Sequence, residues 1–424
     1  MPNPTDAAAE EAARLSRNAV DSLPRDGLAD RLRLARSEDR PLRVKLGIDP
    51  TAPDIHLGHA VVLRKLREFQ DAGHKVVLIV GDYTARVGDP SGRTTLRPML
   101  SEEEIDANAA TFQAQAGKIL DTDPARLEVR RNSEWLDMRT AELLRLLATT
   151  TAAQLLERDD FAKRLSARES ISMLELLYPL LQGYDSVAVH ADVELGGTDQ
   201  KFNLLLGRDI QRAYGQPEQA ILTMPILVGT DGQRKMSKSL SNQIGVTEPP
   251  EEIYGKTMAI PDEAIEDYRR LLLDGVASGN GATPGAPAPA GPAGRAGAAG
   301  EDGAQQSPRD AKRQLARELV AWLHSPEDAL AAEARFDRVH VAHEAPEDIE
   351  EATFPADGGT LHLPGLIAEQ FGVSRSEARR LIDQGGVTLG DSQLAPGEHD
   401  VAPERADGQV LKVGRRRFRR LRAG

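Results

Sequence analysis

Between Leu42 and Ala60 the chain reads L-R-V-K-L-G-I-D-P-T-A-P-D-I-H-L-G-H-A, and few folds can accommodate that stretch. The apolar alternation Leu42, Val44, Leu46, Ile48 is the pattern of a buried strand. Pro50 and Pro53 break it. From His56-Leu57-Gly58-His59 onward, Val62, Leu63, Leu66 and Phe69 recur at helical spacing. The unit is therefore strand, tight turn, helix, with two imidazoles in the first helical turn. A helix start has free N–H groups and a partial positive charge, so it attracts phosphate. The histidines add side-chain donors there, and Gly58 leaves the backbone open to a flat ring. Taken alone, the run is equally compatible with two solvated histidines near a helix start.

A second stretch shifts that balance. Lys235-Met236-Ser237-Lys238-Ser239 follows the turn Gly229-Thr230-Asp231-Gly232 and places two ammonium groups on one polar loop. The 424 residues suffice for two or three domains. Aromatics are only 4% against 40% hydrophobic residues, so the cores must be built from Leu, Val, Ile and Ala. The absence of cysteine excludes disulfides, a thiol nucleophile and Cys-based zinc sites, and fits a reducing compartment. Residues 1–13 are acidic and alanine-rich, without the apolar core of a signal peptide. No run approaches the ~20 apolar residues of a membrane span. The expectation is a soluble, cytoplasmic protein with no membrane partner. A net charge of −13 argues against general nucleic-acid binding. Yet Lys412, Arg415, Arg416, Arg417, Arg419, Arg420 and Arg422 cluster at the C-terminal end with no acidic residue among them.

Residues 1–40 read as helical, with Leu28, Leu32 and Leu34 as packing residues. Val76 to Val80 is a continuous apolar run, suited to a strand covered on both faces. The turn-rich segment Gly81-Asp82-Tyr83-Thr84 through Gly88-Asp89-Pro90-Ser91-Gly92 follows it. Ser101-Glu102-Glu103-Glu104 has capping-box form and predicts a helix to about Leu120. Short strands are expected at Leu127–Arg130, at Val187–Val189 and from Ile221 to Val228, with helices over about 139–182 and after Gly196-Gly197-Thr198-Asp199-Gln200. Strands alternating with helices predict an α/β fold with a doubly wound parallel sheet. Ligands bind such sheets at the carboxyl ends of strands. A helical stretch spans 247–343 and is interrupted at 275–306 by Gly, Ala, Pro and small polar residues, a composition that predicts disorder. A linker is expected at 344–358. It precedes a compact segment, 359–424, in which Arg375, Arg379 and Arg380 fall on the exposed face of one helix.

The D-P-T…H-x-G-H turn paired with K-M-S-K-S resembles the two signatures of class I aminoacyl-tRNA synthetases. S-R-S-E-A-R-R-L-I…G-x-V, from Ser374, resembles the S4 RNA-binding module. Tyr178-Pro179-Leu180-Leu181-Gln182-Gly183-Tyr184-Asp185 and Gly196-Gly197-Thr198-Asp199-Gln200 narrow the resemblance to tyrosyl-tRNA synthetases of the bacterial branch. That resemblance implies a Rossmann-like catalytic domain over 1–246, an α-helical tRNA-binding domain and an S4-like domain. It implies ATP with Mg²⁺, L-tyrosine and tRNA(Tyr) as ligands, no dedicated protein metal site, and a homodimer.

The resemblance also assigns roles. Asp89, Tyr178 and Gln182 would hold the amino group of tyrosine. Asp185 would accept the phenol hydroxyl, and Gln200 would lie at the reacting carboxyl. Asp49, Gly58, Gly197 and Asp199 would face ATP. Thr51, His56, His59, Lys235 and Lys238 would stabilise the phosphates while the tyrosine carboxylate attacks the α-phosphorus. Without that constellation, Tyr178 and Gln182 read as a core tyrosine and a helix-face glutamine. One departure is visible: Lys45 stands where much of the family has a second phenol partner, a tyrosine, and Leu46 replaces a residue that often touches the ribose. A tryptophanyl-type synthetase, a non-catalytic RNA-binding regulator and a small-molecule nucleotidyltransferase are the other readings.

Overall fold

The computed structural model describes residues 4–50, 54–90, 101–274, 307–341, 349–355, 359–390, 392–414 and 417–424. Thr51, the segment 275–306 and Arg415 and Arg416 lie outside the described residues. Two compact units emerge: Met1–Pro249 with Lys256–Leu319, and Pro250–Gly255 with Val320–Gly424. The stretch expected as a separate helical domain, 247–343, is divided between them.

The first unit is built on six strands, β1 (Asp21–Leu23), β2 (Arg43–Ile48), β3 (Lys75–Val80), β4 (Leu127–Arg131), β5 (Val193–Gly197) and β6 (Ala220–Met224), in the order β1-β6-β5-β2-β3-β4. Every neighbouring pair is parallel except β1 with β6, which is antiparallel. Val76 to Val80 of β3 and Val193 and Leu195 of β5 are buried, as strands with helices on both faces require. The chain leaves β2 toward β3 and β4 on one side, while β5 and β6 lie on the other. The strand order therefore reverses between β2 and β5, and it is at the carboxyl ends of such a pair that sheets of this kind take their ligands.

The sequence missed two features of this unit. Residues 1–40 are not all helix: α1 (Pro4–Leu15) and α2 (Gly27–Ser37) flank β1, which closes the sheet edge through three residues against β6. Leu28 and Leu32 are buried, whereas Leu34 is only half-buried. Val187 and Val189 do not form a strand. The helix Met173–Ala188 includes Val187 and ends at its C-cap, Val189; both bury against the core, and the chain turns at His190 before β5. Tertiary burial overrides β-propensity here.

The second unit contains the five-stranded sheet β10-β9-β12-β13-β7, made of β7 (Glu351–Phe354), β9 (Val387–Leu389), β10 (Ser392–Gln393), β12 (Val410–Val413) and β13 (Arg417–Ala423). A two-stranded pair, β8 (Leu361–His362) with β11 (Asp400–Val401), completes it. β7 falls inside the expected linker. It alternates exposed and buried residues, puts Ala352 and Phe354 into the core, and pairs parallel to β13. Ser374 caps the helix Arg375–Asp383, whose Ala378 and Ile382 are buried while Arg375, Arg379 and Arg380 are exposed. No helix among the described residues is long and apolar enough to cross a membrane.

Candidate active site

The helix α3 (Leu57–Asp71) starts at the carboxyl end of β2, and its first turn is stitched to the segment after the K-M-S-K-S loop. Leu57 N–H donates to Ile244 O at 2.9 Å, and Val246 N–H to Ile55 O at 2.9 Å. This pairing brings the two motifs together. Lys238 Nζ lies 2.6 Å from Asp54 Oδ2 in the histidine turn, and Lys235 Nζ lies 3.7 Å from Asp199 Oδ2 at the end of β5. A Cβ on Gly58 would meet the His56 ring at 3.0 Å and Met236 Cβ at 3.6 Å, so glycine keeps this junction open. The His56 and His59 rings stack at 3.9 Å. Burial, aided by the facing His59 and by Lys235, pushes His56 down to about 2, and burial pushes His59 down to about 4. Both imidazoles are therefore neutral at pH 7 and can serve as hydrogen-bond donors. Thr51, expected beside them, lies outside the described residues.

Behind this rim the helix Met173–Ala188 lines a pocket. Ser172 caps it in a box with Glu175, and Gly183 lets it approach the Lys201–Ala213 helix closely: a Cβ there would fall 2.6 Å from Ile210 Cδ1. Tyr178 donates its hydroxyl to Asp49 Oδ2 at 2.8 Å, while Thr84 Oγ1 donates to Asp49 Oδ1 at 2.6 Å. Asp49, expected to face ATP, thus accepts from the hydroxyls of both Tyr178 and Thr84. Gly81 makes this possible, since a Cβ there would sit 2.1 Å from Asp49 Oδ1. Gln200 Nε2 donates to Asp89 Oδ2 at 2.9 Å, and Asn203 Nδ2 donates to Gln182 Oε1 at 2.9 Å and to Gln200 Oε1 at 3.1 Å. Arg158 Nη1 donates to Asn203 Oδ1 at 3.1 Å, and Arg158 Nη2 approaches Asp89 Oδ1 at 3.8 Å. One polar network therefore gathers Asp89, Gln182 and Gln200, which the sequence singled out. It adds Arg158 and Asn203, which the sequence gave no reason to choose.

Asp185 lies deepest. Its Oδ1 accepts from Trp135 Nε1 at 2.8 Å, and its Oδ2 from Asn132 Nδ2 at 3.5 Å. Burial raises its pKa to about 7, against the opposing pull of Lys45, Trp135 and Asn132. Asn132 and Trp135 follow β4, and Thr84 follows β3. The rule that ligand groups sit just past strand ends could have flagged all three. Lys45 does not enter the pocket. Its side chain is fully buried against Glu194, on the sheet face under the same helix.

The comparisons with known proteins agree with this geometry. A family model described as tRNA synthetases class I (W and Y) matches residues 37–340. The chain is 48% identical over 409 residues to the tyrosine–tRNA ligase of Moorella thermoacetica, covering 96% of this chain and 94% of that one. It is 47% identical over 417 residues to the tyrosine–tRNA ligase of Thermotoga maritima, covering 98% of each. The fold matches the Archaeoglobus fulgidus tyrosyl-tRNA synthetase complexed with L-tyrosine, with a TM-score of 0.56, 24% identity, and coverage of 77% of this chain and 99% of that one. These relatives favour the tyrosine branch over the tryptophan branch. On its motifs, its sheet and these near full-length likenesses, the chain belongs to the class I tyrosyl-tRNA synthetase family.

Proposed function

We propose that this protein is a tyrosine–tRNA ligase, which activates L-tyrosine with ATP to tyrosyl-adenylate and transfers the tyrosyl group to the 3′ end of tRNA(Tyr). The observation that carries this reading is the convergence of Lys238 on the histidine turn, 2.6 Å from Asp54, at the mouth of a pocket that ends in a buried carboxyl. In the first step the tyrosine carboxylate attacks the α-phosphorus, the bond to the β-phosphate oxygen breaks, and pyrophosphate leaves. No enzyme nucleophile is needed, so the protein supplies position and charge. Neutral His56 and His59 donate to the phosphates, and Gly197 and Asp199 lie against the nucleotide. Lys235 and Lys238 exchange Asp199 and Asp54 for the pyrophosphate as its charge develops. Mg²⁺ would accompany ATP, mostly through phosphate and water, and would supply charge neutralisation there.

Asp89, Gln182 and Tyr178 supply acceptors for the ammonium group of tyrosine, and Asp185 accepts the phenol hydroxyl. An acceptor left unpaired in so buried a place is costly, which disfavours phenylalanine. The exposed Arg375, Arg379 and Arg380 face the phosphate backbone of tRNA. Leu144, Leu165, Met173 and Leu174 are large apolar side chains exposed on neighbouring stretches of the catalytic unit; we assign them to a homodimer interface. The cysteine-free sequence suits the cytoplasm. ATP–pyrophosphate exchange with each of the twenty amino acids tests the assignment. Exchange driven by tyrosine alone is expected, and exchange driven by tryptophan, or by none, would refute it.

A further inference from the structure

Lys45 shares the buried sheet face with Glu194, its direct neighbour in the β2–β5 register. Its Nζ lies 2.7 Å from Glu194 Oε1, and donates to Ser186 Oγ at 2.8 Å and to Gln182 O at 3.0 Å. The three ammonium protons therefore have three partners. Two of those partners, Gln182 and Ser186, bracket Asp185 on the same helix. Glu194 is itself held by Ser186 Oγ at 3.2 Å and by Gln219 Nε2. Room for this cluster depends on Gly207, where a Cβ would lie 2.9 Å from Gln219 Nε2 and 3.3 Å from Glu194 Oε2.

A buried ion pair of this kind is often no more stabilising than apolar residues of the same volume. Its placement suggests a different use. Among the described residues, the donors in direct contact with Asp185 are the neutral Trp135 and Asn132 from beyond β4. The charged or titratable groups acting on it are Lys45 from β2, Glu194 from β5 and Tyr178 on its own helix. Lys45 is the cation among them. We propose that Lys45 is the positioning residue of the phenol subsite: it clamps the Asp185-bearing helix to the sheet and supplies the positive charge that keeps the Asp185 carboxylate anionic for a phenol hydroxyl. The inference rests on the assignment of Asp185 to the phenol. It gives the lysine that replaces a direct phenol partner an indirect role in the same recognition.

The test is the pH dependence, from 5.5 to 9, of kcat/KM for tyrosine in ATP–pyrophosphate exchange. The enzymes compared are the parent, Lys45→Met, the double variant Lys45→Met/Glu194→Gln, and Asp185→Asn. The parent should show an acid limb with a midpoint near 7, where neither His56 nor His59 titrates. Lys45→Met should move that limb up by about one pH unit, so that KM for tyrosine at pH 7 rises about fivefold and recovers by pH 9. The double variant leaves no stranded charge and should move it by a smaller step. A purely structural role would lower activity equally at every pH. An unmoved limb in either folded variant, or a double variant that does not fold, would overturn the proposal. If Asp185→Asn keeps both the limb and the preference for tyrosine over phenylalanine, the phenol assignment itself fails. If Asp185→Asn loses both while the Lys45 variants keep the limb, only the role of Lys45 fails.

Discussion

Replacing Asp185 by asparagine should make the protein more stable at pH 8 while spoiling its choice of amino acid. The Asp185 pKa is raised from 3.8 to about 7, with burial as the largest cause. Between those two values the folded protein holds a proton that the unfolded chain has released, so stability falls as pH rises through this interval. Three pH units at ~1.4 kcal/mol each amount to on the order of 4 kcal/mol lost above pH 7, and about 1.5 kcal/mol lost at pH 5. Asparagine removes the ionisation. Its oxygen can still accept from Trp135 Nε1, but its amide then faces the Asn132 amide, at a cost of about 1 kcal/mol. The net gain should be about 3 kcal/mol at pH 8 and below 1 kcal/mol at pH 5. Urea unfolding of the two proteins at both pH values measures it. Trp135 fluorescence in a Trp322→Phe background confines the signal to the catalytic unit. In the same variant the tyrosine-to-phenylalanine ratio of kcat/KM should fall by roughly ten- to hundredfold, the worth of a hydrogen bond to a charged acceptor. A variant no more stable than the parent at pH 8, or a gain independent of pH, would refute the account of Asp185 as a strained buried carboxylate.

Lys238→Ala should slow single-turnover adenylate formation by about 10²–10³-fold and change tyrosine binding less than twofold; comparable losses in both would deny the lysine a role in the transition state. Deleting residues 349–424, a cut placed before β7 because that strand belongs to the C-terminal sheet, should spare tyrosine-dependent exchange and weaken tRNA charging. Loss of exchange would make the tail part of the catalytic machinery. Leu144→Glu/Met173→Glu places charge on the exposed apolar stretch and should give a monomer in sedimentation analysis; an unchanged mass would move the dimer interface elsewhere.

What the sequence made legible follows the reach of its local signals. β2, β3 and α3 were readable because their apolar residues recur over long stretches and most of them are buried. The cap at Ser101 was readable because Glu104 sits three residues on and returns the hydrogen bond. β1 was not, since three residues show no period and their ladder partner lies in β6, two hundred residues away in the chain. β7 was hidden for the same reason, its partner being the last strand. The residues of the two signature motifs could be named from type and spacing. The hydrogen bond from the Tyr178 hydroxyl to Asp49 could not, because it depends on Gly81 letting two strand ends approach. Arg158 and Asn203 carry no motif and emerge only from the fold.

The two halves of the site are held by interactions of unlike strength, and this matches what each must do. In the inner half, Tyr178 and Asp185, and Lys45 on the sheet face beneath their helix, are buried, and each is fixed by hydrogen bonds inside the protein. Such groups cannot reorient cheaply, so on the proposed assignment the choice between two amino acids that differ by one hydroxyl would be made against a fixed acceptor. At the mouth, Lys235 and Lys238 are about half exposed and rest on single ion pairs with Asp199 and Asp54. Exposed pairs of this kind are worth at most about 1 kcal/mol, which a polyphosphate can readily displace. On the proposed assignment the lysines would therefore be kept close to the nucleotide without being committed to their carboxylate partners. The chain thus places rigidity where discrimination between similar side chains needs it, and leaves weak contacts where charge must be followed as a bond breaks.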